Sequence, residues 1–147
     1  MTGDKILFAA LFALLTAQFI KFLLAILQQR RLNFRPLLTT GGMPSSHTAL
    51  TVCLTTDVGL THGFDSTFFA MCVVFTMIVM YDAAGVRRAA GRQARVLNQI
   101  VDELSTSLHV SEERLKELLG HTPLEVFGGA LYGIVVAMLF YSHFAKG

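Results

Sequence analysis

The feature that most limits what this chain can become is an apolar run near its start. Residues 6–27 are almost wholly apolar, with Gln18 and Lys21 set toward one end. Roughly twenty such residues cross the hydrocarbon core of a bilayer as one helix. The run lacks a basic leading segment and a small-residue cleavage site, so it is expected to stay in the protein as a span. Residues 67–81 and 122–141 make two more apolar stretches. Between the first run and residues 67–81, a shorter helix is expected from Ser45 or Ser46 to about residue 60. It carries Thr51, Thr55, Thr56 and Asp57, so it should face protein or a cavity more than lipid. The fold class that follows is an all-α integral membrane protein. It has about four transmembrane helices, an amphipathic interfacial helix segment, and a single membrane-embedded domain over residues 1–147.

Composition agrees with this reading. Of 147 residues, 53% are hydrophobic and only 15% charged, and the mean hydropathy is +0.56. A soluble domain of this size needs a more polar surface. A net charge of +2 does not argue for nucleic acid. Cys53 and Cys72 lie in apolar stretches with no histidine or cysteine at metal-ligand spacing, so they read as core thiols.

Charge is concentrated instead of spread. Residues 82–120 hold six of the twelve basic and six of the ten acidic residues. Within them Val96, Leu97, Ile100, Val101, Leu104 and Leu108 recur at helical spacing, the mark of an amphipathic surface helix. Ser111, Glu112 and Glu113 read as the start of a shorter helix that ends at Gly120. Thr122-Pro123-Leu124-Glu125 fits a capping box with proline at the first helical position. Gly129 and Gly133 form a small-xxx-small pair suited to close helix packing in lipid. The link after the first span and the link before the last carry the basic residues. The positive-inside rule therefore puts both basic links, and the site they would form, on the cytoplasmic face of a multi-pass protein.

With four spans in this order, Lys21, Arg35, Pro44-Ser45-Ser46-His47, Arg87, Arg88, Arg92 and His121 converge on one membrane face. Two helix N-termini meet there, and helix N-termini favour anions. Arginine adds paired contacts to phosphate. Two histidines can divide the roles of nucleophile and general acid. Each element also has a plainer use: Lys21 can snorkel, Ser45 and Ser46 can cap, and Glu125 can serve only the capping box. Their convergence is what points to phosphoryl transfer.

On these residues the chain resembles the type 2 phosphatidate phosphatase and vanadium haloperoxidase superfamily, in particular its small divergent membrane branch. Lys21 with Arg35-Pro36 looks like the first superfamily motif, and Pro44-Ser45-Ser46-His47 like the second. Arg87 or Arg88 with His121-Thr122-Pro123-Leu124-Glu125 looks like the third. Ser46 stands where the superfamily has glycine, and Glu125 where it has aspartate. The resemblance implies a lipid-phosphate phosphatase that needs no metal or other cofactor. In it His121 would attack phosphorus, Glu125 would orient His121, and His47 would protonate the leaving group. Lys21, Arg35, Ser45, Ser46, Arg87 and Arg88 would hold the phosphate. The expected partners are the bilayer and a phosphorylated lipid, with no nucleic acid. A homodimer, with exchanged helices, would supply packing that four spans lack. The alternative is a non-catalytic membrane protein that binds anionic lipid headgroups with the same cluster. A third reading is an assembly or transport component in which Asp57 and the glycine pair matter more than the histidines.

Overall fold

The computed structural model describes residues 1–29, 42–108 and 122–144, with the side chains of 28–29, 86–88 and 104–108 left out of the description. Among the described residues five α-helices follow one another: α1 (Gly3–Gln29), α2 (Ser46–His62), α3 (Thr67–Tyr81), α4 (Arg87–Leu108) and α5 (Pro123–Phe144). A π-helical turn, Asp82–Val86, joins α3 to α4 without a break. The protein is all-helical over the described residues. Among the described residues, three helical stretches are long and apolar enough to cross a membrane: Gly3–Leu27, Thr67–Glu103 and Pro123–Phe144. The expected shorter helix is α2; its 17 residues rise only about 25 Å.

That short, polar helix is the centre of the molecule. α2 packs against α5, α1 and α3, and α1 also touches α5. A central helix surrounded by protein can carry hydroxyls and a carboxylate that a lipid-facing helix cannot. On the side of α3, Thr55 Oγ1 and Thr76 Oγ1 are hydrogen-bonded at 2.8 Å. Thr76 also donates to the Thr51 carbonyl at 3.1 Å. On the side of α1 and α5, Ala9, Ala13, Cys53, Val136 and Ala137 form the buried core. Cys53 and Cys72 are free thiols, as their sequence context suggests.

The glycine pair explains why α2 and α5 approach so closely. A Cβ at Gly129 would lie 2.5 Å from the Ser45 carbonyl oxygen, and one at Gly133 would lie 2.6 Å from that of Ala49. Only glycine allows backbone to meet backbone at this distance, which is the small-residue packing expected in lipid. α1 reaches the same pair by alanines: Ala9, Ala13 and Ala17 are fully buried at four-residue steps. Tyr132 Oη donates to Thr16 Oγ1 at 2.7 Å and ties α5 to α1. The amphipathic helix α4 keeps its apolar face exposed at Val96, Leu97 and Ile100. Among the described residues it packs substantially only against the π-turn.

Candidate functional site

Ser45 is where the expected site begins, and the structure gives its groups specific duties. It is the N-cap of α2: its Oγ accepts from the Thr48 amide at 3.5 Å and from Thr48 Oγ1 at 3.0 Å. A serine at this position satisfies one of the amides a helix start leaves without an internal partner. Both Ser45 and Thr48 are fully buried. The Ser45 amide donates to the Glu125 carbonyl at 3.1 Å. The start of α2 is therefore fastened to the first turn of α5. Ser46 is buried beside it, and His47, the next residue, is exposed.

The first turn of α5 is built as its sequence predicts. The Thr122 amide donates to Glu125 Oε2 at 3.0 Å, and the Glu125 amide donates to Thr122 Oγ1 at 3.3 Å. These reciprocal bonds are the capping box.

Lys21 does not snorkel to the surface. It continues the buried stripe of Ala9, Ala13 and Ala17, and is itself only 6% exposed. Its stem lies against Gly42, where a Cβ would come within 2.9 Å of Lys21 Cδ. Gly42 has φ +91°, a conformation that other residues rarely take. Met43 then rests its Cε against Gly128, 2.8 Å from where a Cβ would sit. The segment entering α2 is thus pinned on one side by α1 and on the other by α5.

Lys21, Ser45, Ser46, His47 and Glu125 are brought to one end of the helix cluster. α3 runs antiparallel to α2, with Cys72 beside Thr55 and Thr76 beside Thr51, so the end of α3 and the start of α4, with the backbone of Arg87 and Arg88, lie toward the same end. Arg35 and His121 lie outside the described residues, as does the helix expected to start at Ser111. Gly42 and Gly129 help to form this site, although residue-by-residue reading of the sequence gives them only a turn and a helix contact. The stripe Ala9-Ala13-Ala17-Lys21, at a spacing of four, was the available signal that Lys21 points inward. A grouping of histidine, cysteine and acidic residues fit to hold a metal ion does not occur among the described residues.

The model of the divergent PAP2 family matches residues 2–136. The chain belongs to the divergent PAP2 family. It is also 41% identical over 144 residues to a protein of Bacillus subtilis (strain 168) named uncharacterized membrane protein YuiD, an alignment that covers 90% of this chain and 91% of YuiD. No solved structure matches the chain. The three apolar helices and the membrane-protein relative support a place in a membrane, and the family links the chain to a phosphatase-like superfamily.

Proposed function

We propose that this divergent PAP2 family member is a multi-pass membrane phosphatase. In this reading it hydrolyses a phosphomonoester or pyrophosphate of an amphiphilic lipid through a phosphohistidine intermediate. The observation that carries the reading is the junction of three elements at one end. Buried Lys21 of α1 lies against Gly42 just before α2, and the start of α2 is bonded through Ser45 to Glu125 in the first turn of α5. A buried ammonium beside helix N-termini suits a phosphate, and a site at the end of apolar helices suits an amphiphile.

In the proposed reaction His121 attacks phosphorus. A phosphorus–nitrogen bond forms as the bond to the lipid oxygen breaks, and His47 gives that oxygen its proton. Water then attacks the phosphohistidine and releases inorganic phosphate and His121. Glu125 steadies the imidazole that gains charge. Lys21, Arg35, Arg87 or Arg88 and the amides at the start of α2 offset charge on the equatorial oxygens. The positive-inside distribution of arginines supports a cytoplasmic site.

The test is phosphate release by the purified protein in detergent with EDTA present. Phosphatidate, phosphatidylglycerophosphate and a polyprenyl pyrophosphate serve as substrates, with His121→Ala as the control. Release by the wild type and none by the variant supports the reading. No release from any substrate by folded protein overturns it in favour of headgroup binding without catalysis.

A further inference from the structure

The helix α4 leaves an apolar face uncovered. Leu97 is 48% exposed and Ile100 46%, and among the described residues the helix packs substantially only against the π-turn. Two properties say what covers that face. The first is direction. α3, the π-turn and α4 follow one another without a break from Thr67 to Leu108. At 1.5 Å per residue they reach about 60 Å, against roughly 30 Å for a hydrocarbon core. α3 takes the part that crosses. Arginines at 87, 88, 92 and 95 mark the start of α4 as the point where the helix leaves the lipid. A π-turn bends a helix, but the chain continues outward, so the far part of α4 stands away from the membrane. The second property is spacing. Ala90, Ala94, Leu97, Val101, Leu104 and Leu108 follow at alternating steps of four and three, which is the seam of a coiled coil. Leucine at 97 and 104 with valine at 101 is the pattern of a parallel pair. Val96 and Ile100 widen the seam on one side, and Arg92 and Gln99 lie on the outer face.

We propose that α4 is a dimerisation helix: its seam from Ala90 to Leu108 packs in parallel on the same seam of a second copy, outside the membrane. Two copies inserted the same way present α4 in the same direction. A two-fold axis along the membrane normal then brings seam to seam, the self-complementary contact of a closed dimer. The partner is held by α4 and not by exchanged spans. Ala90 and Ala94 let the two helices meet closely near the membrane, and the larger residues beyond them supply the buried area. The start of α4 lies toward the end of the helix cluster that holds Ser45 and Glu125, so the dimer sets two candidate sites side by side on one face. The contact needs no phosphatase chemistry and stands or falls apart from it.

The experiment uses the full-length protein in liposomes and in detergent. Leu97→Cys puts a thiol in the seam and Gln99→Cys puts one on the outer face, with the wild type and its free Cys53 and Cys72 as background. Mild oxidation in liposomes is expected to join most Leu97→Cys chains into disulfide dimers and to leave Gln99→Cys at the wild-type level. Val101 is only half-buried within one chain, so Val101→Asp is expected to keep the helix content and shift the detergent particle from two chains to one, read by light scattering. Equal cross-linking at 97 and 99 reports random collision and overturns the proposal. A wild-type particle of one chain overturns it, as does a Val101→Asp particle that keeps two. Quenching of a fluorophore on the Leu97→Cys thiol by a lipid-borne quencher, with no cross-linking, overturns it in favour of a helix lying on the membrane surface.

Discussion

The amide of Ser45 donates to the carbonyl of Glu125 at 3.1 Å, so the residue that caps one helix is bonded to the residue that closes the capping box of another. Two helix starts are thereby locked side by side at the same end of the helix cluster. The bond is between main-chain groups, so side-chain identity does not make it; the small residues that let α2 and α5 touch do.

Gly129 should accordingly be the most sensitive position in the packing. A methyl group there would meet the Ser45 carbonyl oxygen at 2.5 Å, and main-chain oxygen cannot turn aside as a side chain does. Gly129→Ala is expected to lower stability by about 1–3 kcal/mol, the usual cost of overpacking. It should also reduce phosphate release, because Ser45 moves with the helix. Gly133→Ala meets the Ala49 carbonyl at 2.6 Å and should cost similar stability with less effect on release, being one turn farther from the site. Gly3→Ala, with nothing within 4 Å, is the control. Thermal unfolding in detergent and phosphate release on the same samples check the order.

Glu125 has two separable duties, and Glu125→Gln separates them. Glutamine can still accept the Thr122 amide, so the capping box and the stability of α5 should persist. It carries no charge to steady the His121 imidazole in the proposed reaction, so phosphate release should fall by at least about tenfold, the loss expected when a charge-assisted contact goes. Glu125→Ala removes both duties and is expected to cost about 1 kcal/mol of stability as well. Equal melting temperatures for wild type and Glu125→Gln with a loss of release confirm the separation. Equal release would confine Glu125 to the cap.

Much of this arrangement was legible from local pattern. Thr122-Pro123-Leu124-Glu125 announces its own hydrogen bonds because a capping box spans only three residues. Gly129 and Gly133 announce a close helix contact, and Ser45 announces a cap. Relations between distant residues were not legible. Nothing adjacent to Lys21 says that Gly42 will lie against its stem, since that depends on how the segment before α2 crosses α1. The partner of the Ser45 amide is likewise set by which helix the glycines meet. The π-turn at Asp82–Val86 also escaped the sequence, because such a single-turn feature has no residue-type signature of its own.

The threonines between α2 and α3 lead to a prediction about stability alone. Thr55 Oγ1 is placed against the Cys72 carbonyl at 3.2 Å as well as Thr76 Oγ1. Thr76→Val removes one hydroxyl and leaves Thr55 its bond to the Thr51 carbonyl at 2.8 Å. The expected loss is about 0.6 kcal/mol, typical of hydrogen bonds between helices in lipid. The cluster lies between α2 and α3, away from Lys21 and Glu125, so hydrolysis should be unchanged. A large fall in activity without unfolding would mean that α3 positions the site.

Asp57 is the residue whose replacement should help the fold. It is fully buried. One carboxylate oxygen has the Cys53 thiol at 3.8 Å, and the other has no hydrogen-bond partner. Such a group costs several kcal/mol when ionised in an apolar interior. Asp57→Asn keeps an acceptor for Cys53 and cannot ionise, though its amide hydrogens also lack an evident partner, which costs about 1–3 kcal/mol. The ionic cost is the larger, so Asp57→Asn is expected to raise the melting temperature in detergent while phosphate release stays at the wild-type level. A variant that melts higher but releases no phosphate would show that the carboxylate is kept for function. A variant that keeps phosphate release yet loses a cellular function that His121→Ala retains would favour a transport or assembly role over phosphatase chemistry.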